Sequence, residues 1–200
     1  MIHLHDQNIS GNSFMKDISQ LRSMLEFDAF TYKHSFNVAG YSAEFIKYAD
    51  CDIDASIVYL AGLFHDIGKT GINLNILNKK EILSQGEFEL IRNHSALGFE
   101  ILSGYEVPEE VLFAAQLHHE RYDGSGYPFG LSGEEIPDIA KLISICDVFE
   151  ALTADRPYRE AYSCGQALDI MCSLRDGFDP KLLKTFMDNA DAICQTAKQA

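Results

Sequence analysis

His65-Asp66-Ile67-Gly68-Lys69 closes an apolar run in which Ile57, Ala61, Phe64 and His65 recur at helical spacing. Asp52 or Asp54 can cap that helix, and Gly68 stands where a C-cap glycine is expected. The spacing predicts a buried helix with His65 and Asp66 in its last turn. A carboxylate there is costly without a cation, so the pair points to a metal. Upstream, His34, Val38, Tyr41 and Phe45 stand at i, i+4, i+7 and i+11 of a helix expected over about 29–49, which turns His34 inward. Downstream, Ser84-Gln85-Gly86-Glu87 has the form of a capping box, opening a helix to about Ser103. Ile91, His94 and Gly98 share its stripe, and the small Gly98 leaves room for a neighbouring element. Pro108 starts a further helix with Val111, Ala115 and His118 on one side and His119 near the end. A helix from about Ile139 to Leu152 carries Ile143, Asp147 and Glu150 on one face, where an Asp among isoleucines needs a partner.

The chain has seven histidines. His3 and His5 fall in residues 1–13, a polar, aperiodic stretch read as a mobile tail and not as ligands. The other five face one interior with Asp66 and Asp147. Imidazole and carboxylate suit a divalent cation. The set is too large for one tetrahedral site and suits a two-metal site.

Composition limits the alternatives. Two hundred residues, 46% of them hydrophobic, fit one domain with a substantial core, here residues 14–200. The net charge of −14 disfavours nucleic-acid polymers but leaves room for a small anionic substrate in a pocket whose field is set by cations. No apolar run is long enough to span a membrane, and no secretory signal is expected. The five cysteines form no C-x-x-C pair and read as thiols of a reducing cytoplasm. Ser163-x-x-Gln166 and Asp179-Pro180 open the last two helices. No strand alternation is found. The fold class is all-α, a single compact bundle of about seven or eight helices.

Between the helices lies His118-His119-Glu120-Arg121-Tyr122-Asp123-Gly124-Ser125-Gly126-Tyr127-Pro128, whose glycines and proline force a loop. Together with His65-Asp66-Ile67-Gly68-Lys69, the isolated His94, Asp147-Val148-Phe149-Glu150-Ala151-Leu152 and Asp155-Arg156-Pro157-Tyr158-Arg159, it gives the chain its resemblance to a known family. From about Tyr32 to Pro180 the chain resembles an HD-GYP domain, the bacterial phosphodiesterase branch of the HD hydrolases.

The resemblance implies that His34, His65 and Asp147 hold one metal and His94, His118 and His119 the other, with Asp66 bridging. The ions would be divalent, iron or manganese, with availability deciding. Lys69 would orient the nucleophile or contact the phosphate, and Asp66 and Lys69 are the catalytic pair. Tyr127, Arg156 and Arg159 would contact a cyclic dinucleotide, and the substrate implied is cyclic di-GMP, opened mainly to linear pGpG. Alternatives are another cyclic dinucleotide or nucleotide, or a catalytically inactive cyclic di-GMP receptor. A protein partner at Gly126-Tyr127-Pro128, or a second copy of the chain, completes the partner expectations. Some members hold a third cation with a Glu one turn before the first His; here that residue is Phe30. Glu150 stands where the family usually has Asp.

Overall fold

The computed structural model describes residues 11–155 and 159–196. Among them it has eleven α-helical segments and no strand, all built from the caps and stripes of the sequence. The central pair is α2 (Ala29–Phe45) and α3 (Ala55–Phe64), packed along their length. Asp28 caps α2 by accepting from the Thr31 amide at 2.8 Å, and Asp54, not Asp52, caps α3 by accepting from the Ser56 amide. α1 (Gly11–Leu25) precedes them, so the last three residues of the expected tail are helical.

The helix expected from Ser84 to Ser103 is divided. The Ser84–Glu87 capping box opens α5 (Gln85–Arg92), and Asn93 separates it from α6 (His94–Leu102). In that break the His94 imidazole takes the Ile91 carbonyl at 2.7 Å. A one-turn α4 (Leu74–Leu77) lies within the stretch expected to be irregular. Neither α4 nor α5 has a buried residue.

α7 (Glu109–Leu117) packs on α3 and α6. α8 (Asp138–Thr153) runs through the middle of the molecule and buries Ile139, Leu142, Ile143, Ile145 and Phe149. Each such side chain contributes about 1.5–3 kcal/mol relative to exposure. The rings of Phe45, Tyr41, Phe149 and Phe186 meet edge to face or at steep angles at 5.0–5.3 Å, joining α2 and α8 to α10 (Pro180–Asp188).

α9 (Cys164–Ser173) opens on the expected capping box of Ser163 and Gln166. α11 (Ala190–Thr196) follows α10 after a break at Asn189, so the expected last helix is also two. One cysteine expectation is corrected. Cys164 and Cys194 form a disulfide, because α9 and α11 bring their Cα atoms to 6.8 Å, whereas Cys51, Cys146 and Cys172 are free. Among the described residues no helix is long and apolar enough to cross a membrane.

Candidate metal centre

Five segments deliver seven side chains to one point. His34 comes from α2, His94 is the first residue of α6, and Asp147 lies in α8. His118 is the C-cap of α7 and His119 follows it. α3 ends at Phe64, so His65 is its C-cap and Asp66 leads into a 3-10 turn, Ile67–Gly71, one step beyond the expected last turn. Gly68 has no left-handed φ and does not cap the helix. It lets that turn touch α6: a Cβ on Gly68 would lie 1.9 Å from the His94 carbonyl oxygen and 2.5 Å from the Gly98 nitrogen. Gly98 thus faces another element, as its size implies.

The outer nitrogens of three rings are held by backbone carbonyls. Nδ1 of His65 faces the Gly62 carbonyl at 2.7 Å, that of His94 the Ile91 carbonyl at 2.7 Å, and that of His118 the Ala114 carbonyl at 2.8 Å. A carbonyl only accepts, so each Nδ1 carries the proton and each neutral ring turns a bare Nε2 lone pair inward. Nε2 of His94 and Nε2 of His118 then face each other at 3.3 Å with no hydrogen between them. His65 Nε2 and Asp66 Oδ1 are buried with no hydrogen-bond partner. Converging lone pairs and orphaned buried acceptors fit a cation, and imidazole and carboxylate are the donors it takes.

The Asp66 carboxylate divides the set. Its Oδ2 lies 3.4 Å from Nε2 of both His34 and His65, and its Oδ1 lies 3.3 Å from His94 and 3.8 Å from His118. The ligand atoms of His34, His65 and Asp147 lie within 4.8 Å of one another, as do those of Asp66, His94, His118 and His119. Two metal-sized groups therefore adjoin, with one Asp66 oxygen facing each.

Burial lowers His94 to about 4 and His119 to about 3, and holds His118 well below the usual histidine range. These rings stay uncharged and ready to donate. Burial also opposes charge on Asp66, but Lys69 and His65 outweigh it and keep the carboxyl ionised. Lys69 Nζ is hydrogen-bonded to Asp66 Oδ2. His34 differs: burial is overcome by Asp147 and Glu150, which raise it to about 9.

Glu150 is a buried residue whose role is not visible in sequence. It accepts from His34 Nδ1 at 2.5 Å and from Asn37 at 3.0 Å, supporting the ligand from behind. Its sequence signals were a place on the inner face of α8 one turn after Asp147 and a position where the family usually has Asp. Glu150→Gln is expected to weaken metal binding at the His34 group about tenfold while sparing the His94 group, because an oriented, negatively charged partner raises ligand basicity. Chelator competition with elemental analysis measures this; two unchanged affinities would disprove it.

Tyr127 lies on His119, ring centroids 4.6 Å apart and 28° from parallel. The loop carrying it is pinned underneath. Its amide donates to the His119 carbonyl, and buried Glu120 accepts from the Phe129 and Leu131 amides at 2.7 and 3.0 Å. Gly126 passes so close that a Cβ would meet the Arg121 nitrogen at 2.4 Å. Arg159 donates to the carbonyls of Ala151, Leu152 and Glu160, and stacks on Tyr162. Arg156 lies outside the described residues, as do His3 and His5. A cavity of about 810 Å³ opens beside His34 and Glu150, with Phe30, Lys33, Asn37 and Asp155 in its walls.

The family model described as HD domain matches residues 20–182. A Pseudomonas aeruginosa protein named as a cyclic di-GMP phosphodiesterase is 37% identical over 80% of the chain, and the match covers 39% of that protein. A Vibrio cholerae protein named as a 3'3'-cGAMP-specific phosphodiesterase is also 37% identical, over 76% of the chain and 34% of its own length. The chain thus spans well under half of these relatives. Among solved structures, an HDG"Y"P protein of Bdellovibrio bacteriovorus, Bd1817, superposes with a TM-score of 0.64 at 19% identity, covering 90% of the chain and 60% of that protein. The HD domain of L. monocytogenes PgpH, solved with cyclic-di-AMP, gives 0.64 at 18% identity, covering 87% and 96%. These two likenesses concern the fold. With the family model matching most of its length, the chain belongs to the HD domain family.

Proposed function

We propose that the chain is a metal-dependent phosphodiesterase that opens cyclic di-GMP, mainly to linear pGpG, using two divalent cations, iron or manganese. The observation that carries this reading is Asp66 facing two groups of ligands with its two oxygens. Paired cations supply charge neutralisation at a phosphoryl group and lower the cost of deprotonating a water. His34, His65 and Asp147 would hold one, His94, His118 and His119 the other, and Asp66 would bridge.

The chain's own residues do the rest. Lys69 holds Asp66 in place and brings a positive charge to the mouth of the centre. Tyr127, stacked on His119, offers a flat wall and a hydroxyl kept protonated by burial and by nearby Asp66 and Asp147. Arg159 donates to backbone carbonyls at the C-terminal end of α8, and both it and Arg156 are assigned to the substrate by resemblance alone. The relatives named for cyclic di-GMP and for 3'3'-cGAMP keep the second dinucleotide as the alternative substrate. Metal-loaded protein incubated with cyclic di-GMP, 3'3'-cGAMP and cyclic di-AMP, followed by chromatography, separates these readings; no cleavage of any of them would refute the proposal.

The product follows from Phe30. It stands four residues before His34 on α2 and lines the cavity beside it. A phenyl ring has no lone pair for a further cation. Cutting pGpG requires neutralising its new terminal phosphate, and an apolar ring there disfavours that charge. The expected time course under excess enzyme is a build-up of pGpG with GMP slow or absent. Stoichiometric GMP without pGpG accumulation would show that Phe30 does not limit the reaction.

A further inference from the structure

Arg92 ends α5, two residues before His94. Its guanidinium carbon lies 4.2 Å over the centre of the Tyr127 ring, and Tyr127 in turn lies on His119. Arg92, Tyr127 and His119 thus form a three-layer stack that ends on a candidate ligand. The guanidinium is also 5.8 Å from the Phe88 ring, and among the described residues it pairs with exposed Glu89 through a long contact of 3.4 Å.

A flat cation laid on a ring keeps its N–H edges pointing outward. Packing against Tyr127 alone would be served by an aliphatic side chain, without bringing charge to the rim of the site. Several of the described cations near the centre are engaged. Lys69 is bonded to Asp66, Arg121 to Ser144, and Arg159 to three backbone carbonyls. The substrate proposed above carries two phosphates on opposite sides of one macrocycle. The centre neutralises the one being cleaved. The other keeps its charge and needs a donor outside the centre, and a guanidinium fork matches two phosphate oxygens at once.

We propose that Arg92 is a substrate-binding residue which holds the phosphate of the cyclic dinucleotide that is not being cleaved, with its guanidinium fixed in place by the Tyr127 ring. The assignment rests on the cyclic dinucleotide reading. It makes Arg92 a contact common to ground state and transition state, so its loss acts on KM and not on kcat.

The test uses the metal-loaded full chain with two substrates, cyclic di-GMP and bis(p-nitrophenyl) phosphate, the second having a single phosphate. Arg92→Ala is expected to raise KM for cyclic di-GMP about tenfold or more, the size of one charge-assisted contact, with kcat within about twofold. Arg92→Lys should recover part of the loss, since it keeps the charge but not the fork. Calorimetric binding of the non-cleavable bis-phosphorothioate analogue should weaken by the same factor, and bis(p-nitrophenyl) phosphate kinetics should not change. An unchanged KM for cyclic di-GMP overturns the proposal. Equal falls in kcat for both substrates also overturn it, because Arg92 would then only be holding Tyr127 in place. Wild-type protein that cleaves bis(p-nitrophenyl) phosphate but neither binds nor cleaves any cyclic dinucleotide would remove the functional reading itself, and this assignment with it.

Discussion

Asp66→Ala protein is expected to purify with less than about a tenth of the wild-type metal and to lose activity by about a thousandfold or more. The reason is position. Among the described residues Asp66 turns one oxygen to each ligand group, so its removal leaves each group short of an oxygen donor and leaves imidazoles crowded around a void. Asp66→Asn provides the finer comparison. It keeps the volume and one acceptor oxygen but loses the charge, and is expected to retain one group's metal better than the other. Elemental analysis of protein purified without added metal, with helicity followed by circular dichroism, separates a lost centre from a lost fold. Wild-type metal content in a folded Asp66→Ala protein would rule out the bridging role.

Gly68→Ala tests the fold at the same place with one methyl group. The added Cβ would meet the His94 carbonyl and the Gly98 nitrogen, both backbone atoms that cannot swing away. Either the 3-10 turn leaves α6, carrying Asp66 with it, or α6 moves and takes His94. A loss of about 3 kcal/mol or more, or failure to fold, is expected from such overpacking. Gly86→Ala is the control, since a Cβ there meets nothing within 4 Å and α5 is a helix. That change is expected to be neutral or to stabilise by up to about 1 kcal/mol. Urea midpoints for the two variants measure both effects, and a Gly68→Ala protein as stable as Gly86→Ala would mean that the turn does not press on α6.

What could be read in the sequence was whatever repeats within one helix. His34 falls on the Val38, Tyr41 and Phe45 stripe, and Asp147 on the Ile143 stripe, so both could be turned inward from spacing alone. The caps Asp54, Ser84 and Ser163 were likewise local signals. Contacts between distant segments left no such trace. Glu150 shared the inner face with Asp147, but its partner His34 is 116 positions away. Arg92 has no local signal, because its partner, Tyr127, lies on another loop. Gly68 carried the signature of a helix cap, yet its constraint comes from α6. The break at Asn93 is hidden in an unbroken apolar periodicity, because what ends α5 there is a side chain taking a backbone carbonyl. Cys164 and Cys194 have no motif to pair them until α9 and α11 are packed.

The meeting of five segments at Asp66 has a thermodynamic side. Each group of ligands draws on stretches far apart in the chain, one reaching from His34 to Asp147 and the other from Asp66 to His119. A cation held by either is a reversible cross-link, closing long loops that the unfolded chain leaves open. Occupancy and folding are then one linked equilibrium, in which free cation at a hundred times its dissociation constant adds about 2.7 kcal/mol to the folded state. A domain with a stability of order 5–15 kcal/mol would draw a sizeable part of it from the supply of metal in its surroundings.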